Sequence, residues 1–240
     1  MLYIVGTGPG SFDGMTVRAQ NALEKSDLII GFKTYVKLLS EYYPDKKYLS
    51  NGMRQERERV RTALYEAGTK TVSLICSGDP ELYGMAGLAY EESINYPDAE
   101  IEVIPGVTAA MSGGALLGSP LTSDFAVISL SDILMPWEKI EKRLNCAAEC
   151  DLVIVLYNPA SKSRREHLKK ACDIILTHRP PDTVCGYVRN IGREGEMISV
   201  TDLCKLKDIA ADMFTTVFIG NSGTKVINGK IVTPRGYKNV

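Results

Sequence analysis

The run "VSLIC" at residues 72–76 leads directly into "SGDPELYGMAG" at residues 77–87. A short apolar run that stops at a Gly-Asp-Pro cluster is typical of a buried strand followed by a loop. The residues after the loop predict a helix over 82–95. A strand, a loop and a helix in this order form the unit from which α/β folds are built, with parallel strands joined by right-handed crossovers.

The same alternation runs through the first half of the chain. Strands are predicted at 2–5, 27–31, 71–76 and 101–106, and helices are predicted at 15–26, 53–68 and 82–95. The strand segments are nearly continuous in apolar residues, which is typical of a parallel sheet covered on both faces.

A second series follows "LLGSPLTSD" at 116–124, whose Gly, Ser, Pro and Asp predict a linker. Strands are predicted at 125–130, 151–159, 183–190, 196–200 and 215–221, and helices at 136–149 and 163–178. Within 225–234, Asn-Gly separates two strand-like runs and predicts a β-hairpin. We therefore predict an α/β protein of two domains, 1–118 and 119–240. The first sheet is mostly parallel, the second is mixed with an antiparallel edge, and a ligand binds in the cleft between the domains.

The composition argues against several classes of protein. The chain has 240 residues, 45% of them hydrophobic and 24% charged, with a formal net charge of −1. It lacks the basic surplus of a duplex nucleic-acid binder. No apolar run approaches the roughly 18 residues that span a membrane, and "MLYIVGTGPG" lacks the features of a signal peptide. We expect a cytoplasmic protein that binds a small molecule, and neither nucleic acid nor a membrane.

The six cysteines form no C-x-x-C pair, and His167 and His178 lie in different surroundings. Cys146 and Cys150 share a helix face at i, i+4, where two thiolates can meet a metal. Two small thiols in a reducing compartment are the favoured explanation. We predict no zinc site and no structural disulfide.

The loop "GTGPG" at 6–10 follows a strand and precedes a helix, as a dinucleotide-binding turn does. The fingerprint G-x-G-x-x-G fails at its last position, which is Ser11, and Pro9 stiffens the turn. The acid expected at the end of the second strand is missing, because Asp27 begins that strand. No Walker sequence occurs either. The sequence argues against both nucleotide sites, while a tight turn without a ligand stays open for this loop taken alone.

Four further loops follow predicted strands at their carboxyl ends, where open α/β sheets bind ligands. They are "SGDP" at 77–80, "PGVTA" at 105–109, "LYNP" at 156–159 and "VRNIGR" at 188–193. Turn chemistry alone does not account for such a set, so the sequence predicts a ligand site.

The loops "GTGPG", "SGDP" and "PGVTA" and the final "TPRGY" at 233–237 resemble the tetrapyrrole methylases, the class III S-adenosylmethionine-dependent methyltransferases. Within this family, "GMRQERERV", "YGMAGL", "ISLSDILMPWEKIEKRL", "LYNPASKSR" and "IGNSGT" are similar to the precorrin-3B C17-methyltransferases of cobalamin synthesis. The resemblance runs from about residue 2 to residue 237. It departs at "GDPELYG", where the subfamily more often has Ala-Gly-Ile between Asp and Tyr, so Glu81 is expected to alter the mouth of the site slightly.

The resemblance implies two domains with S-adenosylmethionine in their cleft, a homodimer and no protein-bound metal. By matching motif positions, the residues around the cofactor are Pro9, Ser77, Gly78, Asp79, Leu82, Thr108, Ala109, Asn158 and Asn190. For Asp79, an Asx-turn that caps the following helix is the alternative role.

The small residues Gly84 and Gly87 lie one turn apart in the predicted helix. Glycine destabilises a helix relative to alanine, so we do not expect two glycines on a surface without a packing role. They predict that this helix packs closely behind the cofactor loop, with Tyr83 and Met85 towards the cleft.

The acceptor that the resemblance implies is a tetrapyrrole with acetate and propionate side chains, which arginines and hydroxyl or amide donors suit. Arg54, Arg57 and Arg61 share one predicted helix face, although the interleaved Glu56 and Glu58 favour a solvated, ion-paired surface. The candidate substrate-facing residues are Asp13, Thr16, Arg54, Ser131 and Asp132. A simple cap or turn is the alternative role for Asp13.

Methyl transfer from a sulfonium releases a neutral thioether, so positioning can supply up to roughly 7 to 11 kcal/mol of the acceleration. The sequence names no catalytic residue. The resemblance implies methylation of C17 with ring contraction, on a metal-free or a cobalt-containing acceptor. The alternatives are a sibling methylase acting at another ring carbon or on protein or RNA, and a non-catalytic binder of S-adenosylmethionine or tetrapyrrole.

Overall fold

The computed structural model describes residues 1–161 and 163–237. The chain divides into two compact units, Met1–Thr108 and Ala109–Val240. The sequence-based boundary after residue 118 differs from this division, because helix Ala109–Leu117 packs within the second unit. A Cβ built on Gly113 of this helix would stand 3.0 Å from the ring of Phe218, a buried strand residue of that unit.

The first unit contains one five-stranded sheet and four helices. The strands are β1 (Leu2–Gly6), β2 (Leu28–Phe32), β3 (Lys47–Asn51), β4 (Val72–Cys76) and β5 (Ile101–Ile104), and the helices are α1 (Val17–Lys25), α2 (Lys33–Ser40), α3 (Glu56–Ala67) and α4 (Ala86–Ser93). The strand order is β3-β2-β4-β1-β5, and every neighbouring pair is parallel. The predicted α/β class with a parallel first sheet is confirmed.

Both faces of this sheet are buried, which explains why its strands read as continuous apolar runs. Leu74 lies in a cluster with Val60 of α3 and Ala86 of α4. Its neighbour in the strand, Ile75, lies in a second cluster with Leu23 of α1. Alternate strand residues therefore face opposite helical layers.

Two elements of the first unit, α2 and β3, were not predicted from the sequence. Strand β2 ends at Phe32 and α2 begins at Lys33, so no turn residue separates them. Strand β3 is an edge strand whose residues are exposed or half-buried, so it carries little apolar signal.

The helix predicted at 82–95 begins only at Ala86, and its expected glycine face is wrong. Residues 80–85 form a turn in which the backbone N–H of Ala86 donates to the carbonyl of Pro80 at 3.0 Å. A Cβ on Gly84 would stand 2.3 Å from that carbonyl oxygen, whereas a Cβ on Gly87 would meet nothing within 4 Å. Met85 packs against the core of the first unit.

The described residues of the second unit form two sheets and four helices. The strands are β6 (Gly118–Ser119), β7 (Phe125–Ser129), β8 (Val153–Tyr157), β9 (Val184–Arg189), β10 (Met197–Asp202), β11 (Thr215–Ile219), β12 (Lys225–Ile227) and β13 (Lys230–Val232), and the helices are α5 (Ala109–Leu117), α6 (Trp137–Glu149), α7 (His167–Leu176) and α8 (Leu203–Leu206). The larger sheet has the order β10-β9-β11-β8-β7. Only β7 and β8 pair in parallel, so the predicted mixed sheet is confirmed.

The predicted hairpin is formed by β12 and β13, with left-handed Asn228 and Gly229 at its turn. It does not extend the larger sheet. Strand β13 pairs in parallel with β6, a short strand inside the predicted linker, and the three strands form a separate sheet. The segment 116–124 is therefore partly a strand rather than a free connection.

Each face of the larger sheet is also covered. Leu156 of β8 packs with residues of α6 and α7, among them Leu144 and Leu168. Val155 faces the other side and packs with Ala110 of α5. Among the helices of the described chain, none is both long and apolar enough to cross a membrane.

Candidate functional site

Three neighbouring strands of the first unit, β4, β1 and β5, end at one edge of the parallel sheet. The loops "GTGPG", "SGDP" and "PGVT" begin there, as the sequence predicts. The first two are joined directly, since Gly8 and Gly78 exchange backbone hydrogen bonds of 3.1 and 2.7 Å. Both glycines have φ near +70°, a region that L side chains rarely adopt.

The three loops approach one another so closely that side chains do not fit between them. A Cβ built on Gly106 would stand 2.1 Å from the carbonyl oxygen of Gly78. A Cβ on Gly6 would stand 2.6 Å from the backbone nitrogen of Gly106. The glycines are therefore required here by backbone packing within the protein itself.

The carboxylate of Asp79 connects two of these loops. Its Oδ1 accepts from the backbone N–H groups of Glu81 at 2.8 Å and Leu82 at 3.4 Å. Its Oδ2 accepts from the N–H of Gly106 at 3.0 Å. Asp79 thus forms the Asx-turn, and it also accepts a hydrogen bond from the loop after β5. Asp79 positions the loops through both of its oxygens.

The other predicted cofactor residues of the first unit lie on the same loops. Gly78 is buried, and Pro9, Ser77, Leu82 and Thr108 are half-buried. The structure thus brings these residues to one edge of one sheet. Their contact with a cofactor stays a prediction.

The predicted substrate-facing residues Asp13 and Thr16 follow the first loop. Asp13 is exposed in a single 3-10 turn at Phe12–Gly14. Thr16 is the N-cap of α1, because its hydroxyl accepts from the N–H of Ala19 at 3.1 Å. The same hydroxyl donates to the carbonyl of Pro105 at 3.4 Å, so both its hydrogen-bonding functions are used within the unit.

The charges at this edge have one sign. The loops 7–16, 77–85 and 105–108 carry Asp13, Asp79 and Glu81 and contain no Lys, Arg or His. A phosphate site would be expected to supply basic donors. Acidic and backbone groups instead suit a ligand that carries positive charge.

The predicted arginine face on α3 includes Arg57 and Arg61 but not Arg54. The helix begins at Glu56, and Arg54 precedes it in a left-handed conformation. Arg57 and Arg61 both contact Glu92 of α4, at 3.1 and 2.6 Å. The favoured alternative, an ion-paired surface, is confirmed, with Glu92 as the partner carboxylate.

Arg59 is a structural residue that the sequence analysis missed. It is 3% exposed, and its guanidinium donates to Asn51 Oδ1 at 2.6 Å and to the carbonyl of Gly52 at 2.8 Å. The same group lies over the ring of Phe32, and burial lowers its pKa. The available signal was its spacing, because residue 59 shares a helix face with Ala63 and Ala67.

The second unit has its own edge of strand ends. Strands β8 and β9 are both antiparallel to β11, so β7, β8 and β9 run in one direction. Asn158 follows β8 and Asn190 follows β9, and both have left-handed backbones with φ of 52° and 53°. The side-chain amide of Asn158 donates to Ser129 Oγ at 3.0 Å, and that of Asn190 donates to the carbonyl of Gly195 at 3.4 Å.

Ala109, the first residue of α5, lies near the same edge. The N–H of the next residue, Ala110, donates to the hydroxyl of Tyr157 at 2.7 Å, and Tyr157 is the last residue of β8. The structure therefore brings two of the predicted cofactor residues, Ala109 and Asn158, to the end of one strand.

The segment after β7 contains the predicted substrate-facing residues Ser131 and Asp132. The N–H of Ser131 donates to Ser129 Oγ at 3.2 Å. Asp132 Oδ2 lies 3.1 Å from Nε2 of His167, the first residue of α7. The hydrogen bond from His167 lowers the pKa of Asp132. No sequence pattern connects these two residues, which lie 35 positions apart.

The family model of the tetrapyrrole (corrin/porphyrin) methylases matches residues 1–207. The chain belongs to this family. The sequence-based recognition is therefore confirmed, and the glycine-rich strand ends that first suggested it form the compact edge described above.

The chain is similar to proteins named for steps in cobalamin synthesis. It is 45% identical, over 99% of its length, to "Cobalamin biosynthesis protein CbiHC" of Archaeoglobus fulgidus, and covers 53% of that protein. It is 44% identical to "Probable cobalt-factor III C(17)-methyltransferase" of Methanocaldococcus jannaschii, over 99% of this chain and 98% of the relative. The crystal structure of the methyltransferase CobJ matches with a TM-score of 0.90 and 32% identity, covering 97% of this chain and 99% of the other. The chain thus spans about half of the first relative and nearly all of the second.

The cysteines of this methylase family member are free thiols. Cys76, Cys172 and Cys185 are buried, and Cys146, Cys150 and Cys204 are exposed. Burial raises the pKa of Cys76 to about 11 and that of Cys172 to about 12. In the described part of the chain, no three His, Cys, Asp or Glu side chains are grouped to hold a metal ion.

Proposed function

We propose that the protein is an S-adenosylmethionine-dependent methyltransferase that methylates C17 of precorrin-3B, or of its cobalt-containing counterpart, with contraction of the tetrapyrrole ring. The observation that carries this proposal is the 44% identity to the M. jannaschii relative over nearly the whole of both chains. The fold match to CobJ at a TM-score of 0.90 supports it independently of local motifs.

The carboxyl edge of the first unit fits the methyl donor. S-adenosylmethionine carries a sulfonium and an ammonium group against one carboxylate. The three loops at this edge offer acidic side chains, no basic ones, and backbone groups fixed by tight glycine packing. We assign donor binding to Pro9, Ser77, Gly78, Leu82 and Thr108, with Asp79 as the residue that holds the loops in place. The roles of Ala109, Asn158 and Asn190 stay predictions.

The chemistry asks little of the protein beyond positioning. The donor supplies an electrophilic methyl group, and its leaving group is a neutral thioether. Asp79 and the Gly8–Gly78 pair link these loops to one another. A fixed donor geometry can lower the barrier to such a step by up to roughly 7 to 11 kcal/mol. A hydrophobic surface at the reacting carbon would favour the dispersal of charge in the transition state.

The decisive experiment is an assay with methyl-labelled S-adenosylmethionine and the trimethylated acceptor, supplied once metal-free and once with cobalt. Label at C17 in a ring-contracted product is the expected result, and the productive acceptor identifies the pathway. Label at another ring carbon would establish the sibling methylase instead. Tight binding of both ligands with no transfer under either condition would establish a non-catalytic binder.

Binding of the donor is tested separately by calorimetry with S-adenosylhomocysteine. Gly78→Ala places a side chain on a left-handed backbone at the loop and is expected to weaken binding at least tenfold. The matched control is Gly87→Ala, where a Cβ meets nothing within 4 Å. Equal affinities of the two variants for S-adenosylhomocysteine would contradict the assignment of donor binding to this edge. The homodimer and the cytoplasmic location implied by the resemblance stay predictions, to be checked by sedimentation and by cell fractionation.

A further inference from the structure

Asp132 and His167 form a pair near the carboxyl end of β7 in the second unit. Asp132 lies just beyond the carboxyl end of β7, the strand that pairs in parallel with β8. Ligands of α/β sheets bind at such strand ends. Its side chain is 37% exposed, while that of His167 is 12% exposed. The carboxylate is thus the outward group of the pair, and the imidazole is the inner one.

The imidazole of His167 is itself held in place. The ring of Trp137, the first residue of α6, contacts it edge-on with 4.8 Å between ring centroids. Lys170, one turn further along α7, lies over the same Trp137 ring at 5.7 Å. Two helices therefore fix the ring that holds Asp132, so the orientation of the carboxylate does not depend on its own exposed loop.

Among the described residues, few charged groups act on Asp132. The loop before α7 supplies Arg164, whose guanidinium donates to the carbonyl of Leu130 at 3.4 Å and also favours the charged form of Asp132. From α7 the acting group is His167, and α6 contributes the uncharged Trp137. The hydrogen bond from His167 is the largest cause of the lowered pKa of Asp132, so the carboxylate stays ionised.

The residues that follow Asp132 are apolar and face outward. Ile133 is 58% exposed and Leu134 is 94% exposed. An anchored carboxylate beside two exposed aliphatic side chains suits the apolar face of a large ring on which positive charge develops during the reaction. A small polar metabolite would leave the aliphatic groups without a partner.

We infer that Asp132 faces the tetrapyrrole acceptor and stabilises the positive charge that arrives on it during methyl transfer, with His167 as its positioning residue. This inference rests on the proposed function. In the step, the bond from sulfur to the methyl carbon breaks and its electron pair stays on sulfur. An electron pair of the acceptor forms the new C–C bond, so the acceptor gains one unit of positive charge. It then loses one proton to water. A fixed carboxylate facing that charge lowers the barrier by electrostatics.

The test uses initial rates of label transfer across a pH series for the full chain and its variants. Asp132→Asn is expected to lower kcat/KM about 100-fold, with an unchanged Kd for S-adenosylhomocysteine. The matched control is Asp202→Asn, another carboxylate with a lowered pKa and one basic partner, Lys205. Asparagine at residue 202 can still cap α8. The rate of the Asp202→Asn variant is expected to stay within about twofold of wild type.

The positioning role of His167 is tested by the acid limb of the pH–rate profile, where the rate falls as the pH is lowered. His167→Ala removes the bond that lowers the pKa of Asp132, so the rate is expected to fall off at a higher pH than in wild type. His167→Gln keeps a donor and is expected to restore part of the shift. The control is His178→Gln, which replaces the other histidine, bonded to Asn145. A purely structural role would change melting temperatures and leave the acid limb in place.

The outcomes separate this inference from the function on which it rests. If the wild type is active and Asp132→Asn keeps a rate within twofold of it, the inference is overturned and the proposed function stands. The inference is also overturned if His167→Ala is folded and the acid limb of its pH–rate profile lies at the same pH as that of wild type. Wild type that methylates no tetrapyrrole overturns the proposed function, and the inference falls with it.

Discussion

The backbone N–H of Gly106 donates to Oδ2 of Asp79 at 3.0 Å, and this bond links the loop after β5 to the loop after β4. Asp79→Ala would leave that N–H and those of Glu81 and Leu82 without their acceptor. We expect the free energy of unfolding to fall by about 2 kcal/mol, as measured by urea denaturation. Asp79→Asn, which keeps an acceptor oxygen, should lose less. Unchanged stability with lost donor affinity would instead assign Asp79 to the ligand.

Gly106 and Gly87 offer a matched pair for the role of backbone packing. A Cβ at residue 106 would stand 2.1 Å from the carbonyl oxygen of Gly78, and the strand ends would have to separate. Gly106→Ala is expected to destabilise the protein by about 3 kcal/mol or more. Gly87→Ala lies in helix α4 with open space around it and is expected to stabilise the protein by about 0.5 to 1 kcal/mol. Both are measured by chemical denaturation, and equal effects would contradict the packing argument.

Glu92 makes the stability of the first unit depend on pH. The hydrogen bond from Arg61 holds the pKa of Glu92 below its ordinary value, which is about 4.3 in model peptides. A carboxyl whose pKa is lowered on folding stabilises the protein above the unfolded-state pKa. The contribution is lost as pH falls through the folded-state pKa. We expect wild type to be more stable than Glu92→Gln at neutral pH, and the difference to close in acid. A stability difference of the same size at neutral and at acid pH would contradict this role of Glu92.

The thiols are expected to divide into two classes of reactivity. Cys146, Cys150 and Cys204 are exposed and should be alkylated readily in the native protein. Cys76 and Cys172 are buried with raised pKa values of about 11 and about 12, so almost no thiolate is present at neutral pH. Mass spectrometry after brief treatment with iodoacetamide measures this division. Modification of Cys76 as fast as Cys146 would show that the core of the first unit opens readily.

The sequence predicts the central strands well because burial on both faces leaves continuous apolar runs, as in β4 and β8. It misses β3, whose residues are half-buried or exposed, and it places the start of α4 too early. The early start has a physical cause. The segment before Ala86 has a helical composition, but Tyr83 is left-handed and Gly84 lies against the Pro80 carbonyl.

The candidate site shows the same division between local and distant information. The glycine loops after β1, β4 and β5 can be predicted from the sequence, because the residues that indicate each loop lie within a few positions of a strand end. The pair of Asp132 and His167 joins residues 35 positions apart, and the Glu92 partner of Arg61 lies 31 positions away. Periodicity within one helix carries no information about such partners. Only the packing of one element on another reveals them.

The pairing of β6 with β13 has a consequence for how the chain is completed on the ribosome. All strands of the first sheet are encoded before residue 105, so that unit can fold while synthesis continues. The second unit must wait much longer, because Gly118 at its beginning pairs with Ile231 near the other end of the described chain. During that interval β6 has no partner strand, and α5 lacks the part of its apolar packing that Ile231 supplies. The second unit is therefore the last part of the described chain that can complete its fold during synthesis.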